Sequence, residues 1–289
     1  MSGSVDSLER LGAKATYLVS ADLTQRKDVS AVLRRIVAAG HQVGCHGLYH
    51  DREDYSVDSF EHQKANLTRA KKMIEDVIAR PVTAFRAPAF RISKYTLHIL
   101  DSLGFLADLS VCSQRFPLLS SQIGNYHWLF APRVPYHPDP INPYAVGTLN
   151  LLEIPTSAAF LPFMSSLNSV SVLATKMTTT ILRYEATFRT KAIVYQCHPE
   201  DFVHYYQPRQ PMKFTWRSIL PKDGYGFPIR WALEETDGDI LYGRNRDFFG
   251  FLKDTKSFRF QTVDDYLKQI RTWKRPESEP DSSSDPQKQ

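Results

Sequence analysis

Cysteine is scarce in this chain. Cys45, Cys112 and Cys197 are the only three in 289 residues and follow no regular spacing, which excludes a disulfide framework. Each follows or sits in an apolar run, so each reads as a buried free thiol. No apolar run is long enough to span a membrane. Residues 1–10 are polar and lack the apolar centre of a secretory leader, so the chain as written reads as cytoplasmic. Charge of one sign is also thin: 36 Lys and Arg against 31 Asp and Glu leave a net +5. The basic residues are scattered, apart from Arg34-Arg35 and Lys71-Lys72. A nucleic-acid binder shows a basic stripe or a recognisable motif, and neither is present. The charge supports no more than a weak preference for anionic polymers. No internal repeat is visible.

What remains is the composition of an ordinary globular protein, 42% hydrophobic and 23% charged, and the length suits one large α/β domain. Residues 5–12 read as the last turns of a helix, with Leu8 and Leu11 on one face and Gly12 at the cap. A strand is expected at 14–19, a helix at 28–39 ended by Gly40, and a strand at 41–46. Helical spacing of Phe60, Leu67, Ile74 and Ile78 gives a helix at 57–78, stopped by Pro81. Strand 82–86, helix 94–103 and strand 105–111 follow. A proline-rich excursion covers 112–148, and a strand is expected at 149–154. A helical insertion covers 165–187, and 191–197 is the strongest β run. Residues 203–243 are irregular and aromatic. Helices at about 245–254 and 263–273 close a domain spanning 1–275, and the polar tail 276–289 is expected to be disordered. Alternating strands and helices imply a mainly parallel α/β sheet or barrel, with functional residues at the carboxyl ends of its strands.

Four polar groups stand at those ends. His46 and His50 are four apart directly after a strand and can point at one ion if their loop makes one helical turn; two solvated loop histidines are the plainer alternative. Gly47 stands where a zincin would need Glu. Arg86, in Phe85-Arg-Ala-Pro-Ala-Phe90, can hold a carboxylate bidentately, or can be a surface Arg beside a turn proline. Asp108 ends the next strand, where a turn Asp is common. His198, in Gln196-Cys-His-Pro199, can serve as a general acid or cap a loop. Each is modest alone, but chance would scatter such residues over helix faces and strand starts as well.

Together these segments resemble the polysaccharide deacetylase family, the NodB-homology carbohydrate esterases, from about residue 5 to 273. Residues 11–19 (Leu-Gly-Ala-Lys-Ala-Thr-Tyr-Leu-Val) look like the family's second strand. Residues 39–50, with Gly40-His41 leading into His46 and His50, are similar to its His-x-x-x-His segment. Phe85–Phe90, Leu103–Ser110, Leu152–Pro155 and Gln196–Pro199 resemble its later segments, the second of these in the exopolysaccharide-type form. The resemblance implies a distorted (β/α) barrel of about seven strands. It implies a divalent ion, most often zinc, on His46, His50 and an Asp, and a second Asp as base held by Arg86. His198 would protonate the leaving amine, with Asp108 tuning it. The substrate would be an N-acetylated carbohydrate, cleaved to acetate and a free amine.

One segment of the pattern is not found. The family's first strand ends in a Thr-Phe-Asp-Asp type segment carrying the base and the third ligand. The one Asp-Asp pair here, Asp264-Asp265, lies near the C-terminus. The expectation is therefore a barrel without its first strand, with unpaired edges and impaired activity. The open explanations are an N-terminal truncation, a pseudoenzyme, or replacement of the ligand by Asp51 or Asp54. Two other functions stay open beside deacetylation. One is a cyclic amide or ureide hydrolase of the allantoinase type. The other is a non-catalytic sugar binder using Phe202, Tyr205, Tyr206, Phe214 and Trp216.

Overall fold

The computed structural model describes residues 2–50, 55–113, 126–159, 161–188, 191–202, 215–220 and 237–273. Five short strands, β1 (Thr16–Val19), β2 (Gln42–Cys45), β3 (Ala84–Phe85), β4 (Ala107–Asp108) and β5 (Leu152–Glu153), form one parallel sheet in sequence order. Helices α1 (Ser2–Leu11), α2 (Lys27–Ala38), α3 (Phe60–Ile78) and α4 (Lys94–Ser102) precede or separate the first four strands. α3 starts where the Ser59 side chain accepts from His62 N and stops at Ala79, which turns left-handed (φ 52°) two residues before Pro81. α4 opens on a reciprocal cap between Ser93 and Thr96. A four-residue helix, α5 (His127–Phe130), lies in the excursion after β4, and β6 (Ala158–Ala159) and β7 (Leu161–Pro162) form a small antiparallel pair. Helices α6 (Ser165–Val170), α7 (Val172–Phe188), α8 (Gly238–Asp254) and α9 (Val263–Trp273) complete the chain. Among the described residues no helix is long and apolar enough to cross a membrane.

The parallel sheet with its flanking helices is of the α/β class expected from the sequence, with five ladder strands among the described residues where about seven were expected. Leu18 of β1, Ala84, Ala107, Leu109, Leu152 and Ile154 share one interior cluster with Ala192 and Val194 of the segment after α7. Leu267 of α9 closes the floor of that cluster. A polar belt seals the same end. Thr16 Oγ1 donates to Gln42 Oε1 (2.8 Å), Gln42 Nε2 to Thr83 Oγ1 (3.0 Å), and Thr83 Oγ1 to Asp264 Oδ1 (2.5 Å). Asp264 and Asp265 thus stand in the first turn of α9, at the amino ends of the strands. They are at the opposite end of the barrel from His46.

Several boundaries differ from expectation. The runs 82–86 and 105–111 keep only two ladder residues each. α8 begins at Gly238, well before 245, because the Asp237 side chain accepts from Asp239 N and Ile240 N and so caps the earlier start. The larger difference is 191–197. This strongest β run forms no ladder, only one parallel bridge between Met164 and Gln196. A strand is defined by its neighbours, and here one side is bonded while the other faces a cavity. The 276–289 tail and most of 203–243 fall outside the described residues.

One ion-pair cluster fixes the excursion to the barrel. Arg133 Nε donates to Glu185 Oε1 of α7 (2.6 Å), and Lys191 Nζ reaches Glu185 Oε2 (2.6 Å). The side chains of Arg133, Glu185 and Lys191 are 15%, 19% and 2% exposed. Arg133 first, then Lys191, holds the Glu185 carboxyl down at about 2, below its ordinary 4.5. A depressed carboxyl contributes its stability above the unfolded value and loses it as pH falls. Glu185→Gln should therefore destabilise the fold at pH 7 by about 2 kcal/mol. In urea melts the gap to wild type should close as pH falls from 4.5 towards 2.

Candidate active site

The parallel register carries five strand ends to one rim. Cys45 pairs with Phe85, Phe85 with Asp108, and Asp108 with Glu153. The residue after each of the first two positions is His46 or Arg86. A parallel ladder therefore suffices to bring the histidine segment, the arginine and two carboxylates together.

His46 is oriented by main chain. Its Nδ1 lies 2.7 Å from the Arg86 carbonyl oxygen. A carbonyl only accepts, so Nδ1 carries the proton and Nε2 presents a lone pair. Burial, and then the positive charge of Arg86, pulls its pKa down to about 4, so the ring is neutral at neutral pH. The His50 ring lies 5.2 Å away, centroid to centroid, tilted by 56°. The loop between them is pinned to the turn after β1 by Ala21 N to Gly47 O and Asp22 N to Leu48 O, both 2.9 Å. Gly47 has φ +89°, and a Cβ there would lie 2.9 Å from the Tyr55 hydroxyl. Glycine is required on both counts.

Arg86 is buried at 8% exposure. Its Nε donates to Leu109 O (3.0 Å), its Nη2 reaches Thr156 Oγ1 (3.4 Å), and the guanidinium lies over Phe90. Beneath it sits a carboxyl pair. Asp108 and Glu153 are both fully buried direct partners on β4 and β5. Asp108 Oδ1 accepts from Ser110 Oγ (2.6 Å), and Glu153 Oε1 from Val111 N (3.0 Å). The other two oxygens, Asp108 Oδ2 and Glu153 Oε2, have no hydrogen-bond donor among the described residues. One proton held between the two carboxyls would satisfy both oxygens. Burial raises both carboxyls above their ordinary values, Glu153 well above, with the Asp108 charge adding to it. Glu153 carries little signal in the sequence beyond an acidic residue in an apolar strand just before Pro155.

His198 is exposed at the start of a 3₁₀ turn (Pro199–Phe202), where its N–H donates to Asp201 Oδ2 (2.6 Å). Its charge is felt by His46. Asp108 makes no hydrogen bond to it among the described residues; its contacts run to Ser110 and Glu153. The structure thus gathers His46, His50, Arg86 and His198 at one rim and puts Asp108 below it.

The donor set fits a divalent ion in part. The neutral His46 ring with a free Nε2, its Nδ1 held by a carbonyl, is the arrangement a zinc-ligating histidine adopts, and His50 lies within reach of the same point. No group of three His, Cys, Asp or Glu suited to a metal occurs among the described residues. Asp51 and Asp54 lie outside them. Asp22, tied to the same loop, buries an Oδ1 without a partner among the described residues.

Residues 3–107 match the family model for polysaccharide deacetylase. Among curated proteins no sequence matches significantly. Solved structures are similar in fold. One is a Mycobacterium smegmatis protein described as a polysaccharide deacetylase, with 17% identity, 96% of this chain and 80% of that chain covered, and a TM-score of 0.58. Puue allantoinase shows 15% identity, 93% and 71% coverage and a TM-score of 0.56. A Pseudomonas aeruginosa PAO1 protein described as a polysaccharide deacetylase shows 14% identity, 94% and 73% coverage and a TM-score of 0.56.

The shared proton yields a stability prediction. A carboxyl raised in the folded state stabilises below its unfolded pKa and loses that contribution as pH rises. Glu153→Gln keeps the hydrogen bond without needing the proton. Thermal melts should show the variant gaining on wild type as pH climbs above 4.5, the ordinary value for Glu153; a gap independent of pH would contradict the shared proton.

Proposed function

We propose, from the match of residues 3–107 to the polysaccharide deacetylase family model, that the chain is a metal-dependent hydrolase of non-peptide carbon–nitrogen bonds. The bond is the N-acetyl amide of a hexosamine unit in a polysaccharide, and the products are acetate and a free amine. The observation that carries this reading is the His46 ring, neutral and fixed with Nε2 towards the rim beside His50.

His46 and His50 would hold the divalent ion, zinc by resemblance to the family. When bound, such an ion polarises the acetyl carbonyl and acidifies water. His198, exposed at the rim, is the group positioned to give a proton to the departing amine nitrogen. Arg86 supplies fixed positive charge under the rim, and the Asp108–Glu153 pair holds Ser110 and the main chain at Val111 in place. Among the described residues no third metal-ligating side chain joins the two histidines. The Asp264-Asp265 pair stands at the far end of the barrel. We therefore read this chain as a weak catalyst.

The test is metal content and acetate release by the purified chain on N-acetylglucosamine oligomers, with and without added zinc. Zinc should bind and His46→Ala or His50→Ala should abolish its binding. His198→Ala should lower turnover about a hundredfold or more while leaving zinc binding intact. Turnover unaffected by His46→Ala would overturn the reading. Opening of a cyclic ureide without acetate release would move the substrate to the allantoinase class. Sugar binding without turnover that survives loss of both histidines would mark a non-catalytic binder.

A further inference from the structure

Helix α7 is built inside out. Its inner face packs on α6, α8 and β6, and the residues buried there are Thr175, Thr178, Thr179 and Leu182. Leu182 is the one large apolar side chain of the four. The outer face carries Leu173, Met177, Ile181, Tyr184 and Phe188, each 55% to 70% exposed. A surface helix of a monomer has the reverse pattern, apolar inside and polar outside. The inner threonines are satisfied where they stand: Thr175 donates to Ser171 O (3.0 Å) and Thr179 to Thr175 O (2.8 Å). The anomaly therefore lies on the outer face, where a contiguous apolar patch marks an interaction surface.

Spacings of four, four, three and four keep the five outer residues on one side of the helix. The stripe they make runs through about four turns, ~22 Å. No charge stands in it. The three charged residues of α7 all turn to partners within the chain. Lys176 Nζ donates to Asp247 Oδ2 of α8 (2.9 Å), and Arg183 Nη1 donates to Ser257 Oγ (3.2 Å). Glu185 accepts from Arg133 and Lys191. Thr180, within the stripe, donates its hydroxyl to Lys176 O (3.0 Å) and needs no other partner.

Area and symmetry name the occupant. Five such side chains leave roughly 600 Å² open on one copy, so two copies laid face to face would bury about 1,200 Å², the lower end of a specific interface. Leu173 stands as far before the midpoint between Thr180 and Ile181 as Phe188 stands after it. Met177 and Tyr184 are placed about the same midpoint in the same way. A two-fold axis through that point lays two copies of α7 antiparallel. It sets Leu173 against Phe188 of the second copy and Met177 against its Tyr184, and each contact occurs twice. An isologous contact needs a patch that complements itself, and this one does. The C-terminal stretch 276–289 has no large apolar side chain with which to cover the stripe. A helix that lies on lipid carries free lysine and arginine beside its apolar face, whereas Lys176 and Arg183 are engaged.

We propose that α7 is the dimer contact of this chain, two copies pairing antiparallel along the stripe about a two-fold axis between Thr180 and Ile181. The inference rests on the outer face of α7 and does not depend on the deacetylase reading.

The test is sedimentation equilibrium of the full chain over a series from micromolar to submillimolar concentration. A monomer–dimer equilibrium is expected. Met177→Asp and Tyr184→Lys each put a charge into the contact twice, and each should weaken association about a hundredfold. Both positions are exposed, so circular dichroism should stay that of wild type. Should either variant not fold, Ile181→Gln at the axis reads the same loss at smaller size. Mixing the Met177→Asp and Tyr184→Lys variants should restore a dimer. The antiparallel register sets the new carboxylate against the new ammonium at one crossing and keeps the native Met177–Tyr184 pair at the other. A wild-type chain that stays monomeric throughout the series would overturn the proposal without recourse to any variant. A dimer that no substitution weakens, or two weakened variants that do not associate when mixed, would overturn it as well. Flotation of a monomer with phosphatidylcholine vesicles would assign the stripe to a lipid surface instead.

Discussion

The main chain and side chain of Arg86 tie four strand ends into one object. Its N–H donates to Cys45 O at the end of β2, and its carbonyl accepts from His46 Nδ1. Its guanidinium reaches Leu109 O after β4 and Thr156 after β5. The ladder brings these strand ends side by side, and Arg86 adds the hydrogen bonds that hold the segments beyond them. With it, the orientation of an imidazole on one strand depends on the register of the next, and a slip by one residue would turn the whole set to the wrong face.

The carboxyl pair below Arg86 follows from the same register. Two fully buried carboxylates would be prohibitively costly as two charges. The nearby guanidinium offsets one, and the raised pKa of Glu153 favours its protonated, neutral form. The result is a polar layer under the rim that restrains Ser110 and the main chain at Ala87 and Val111. Such a layer is high-stakes: satisfied, it specifies one packing; partly satisfied, it costs more than an apolar core.

Helix positions and the parallel α/β plan were legible because they rest on local signals. Ser59 and Ser93 cap, Gly40 and Pro81 stop, and apolar residues recur at helical spacing. The positions of His46, Arg86 and Asp108 were legible for a further reason: in a parallel sheet the carboxyl ends of successive apolar runs reach the same edge, so they could be read one by one. Glu153 was not legible as a partner, because its role depends on standing opposite Asp108, and register across 45 residues leaves no local trace. The segment 191–197 misled in the opposite direction. Its β-branched and aromatic residues state a preference for a pleated surface, but a ladder needs a neighbour, and no sequence pattern says whether one is there. The early start of α8 went unread because Asp237 caps from within an irregular aromatic stretch.

The His46–Arg86 contact has a consequence for sequence drift. The group that fixes the imidazole tautomer is a carbonyl oxygen, which every amino acid carries. Replacing Arg86 would remove the guanidinium and its charge but leave that oxygen in place while the β2–β3 pairing held. Two features joined at one residue are therefore separable by mutation. A lineage could lose the cation under the rim and still inherit a histidine aimed in the same direction, its orientation written into the fold and not into any side chain.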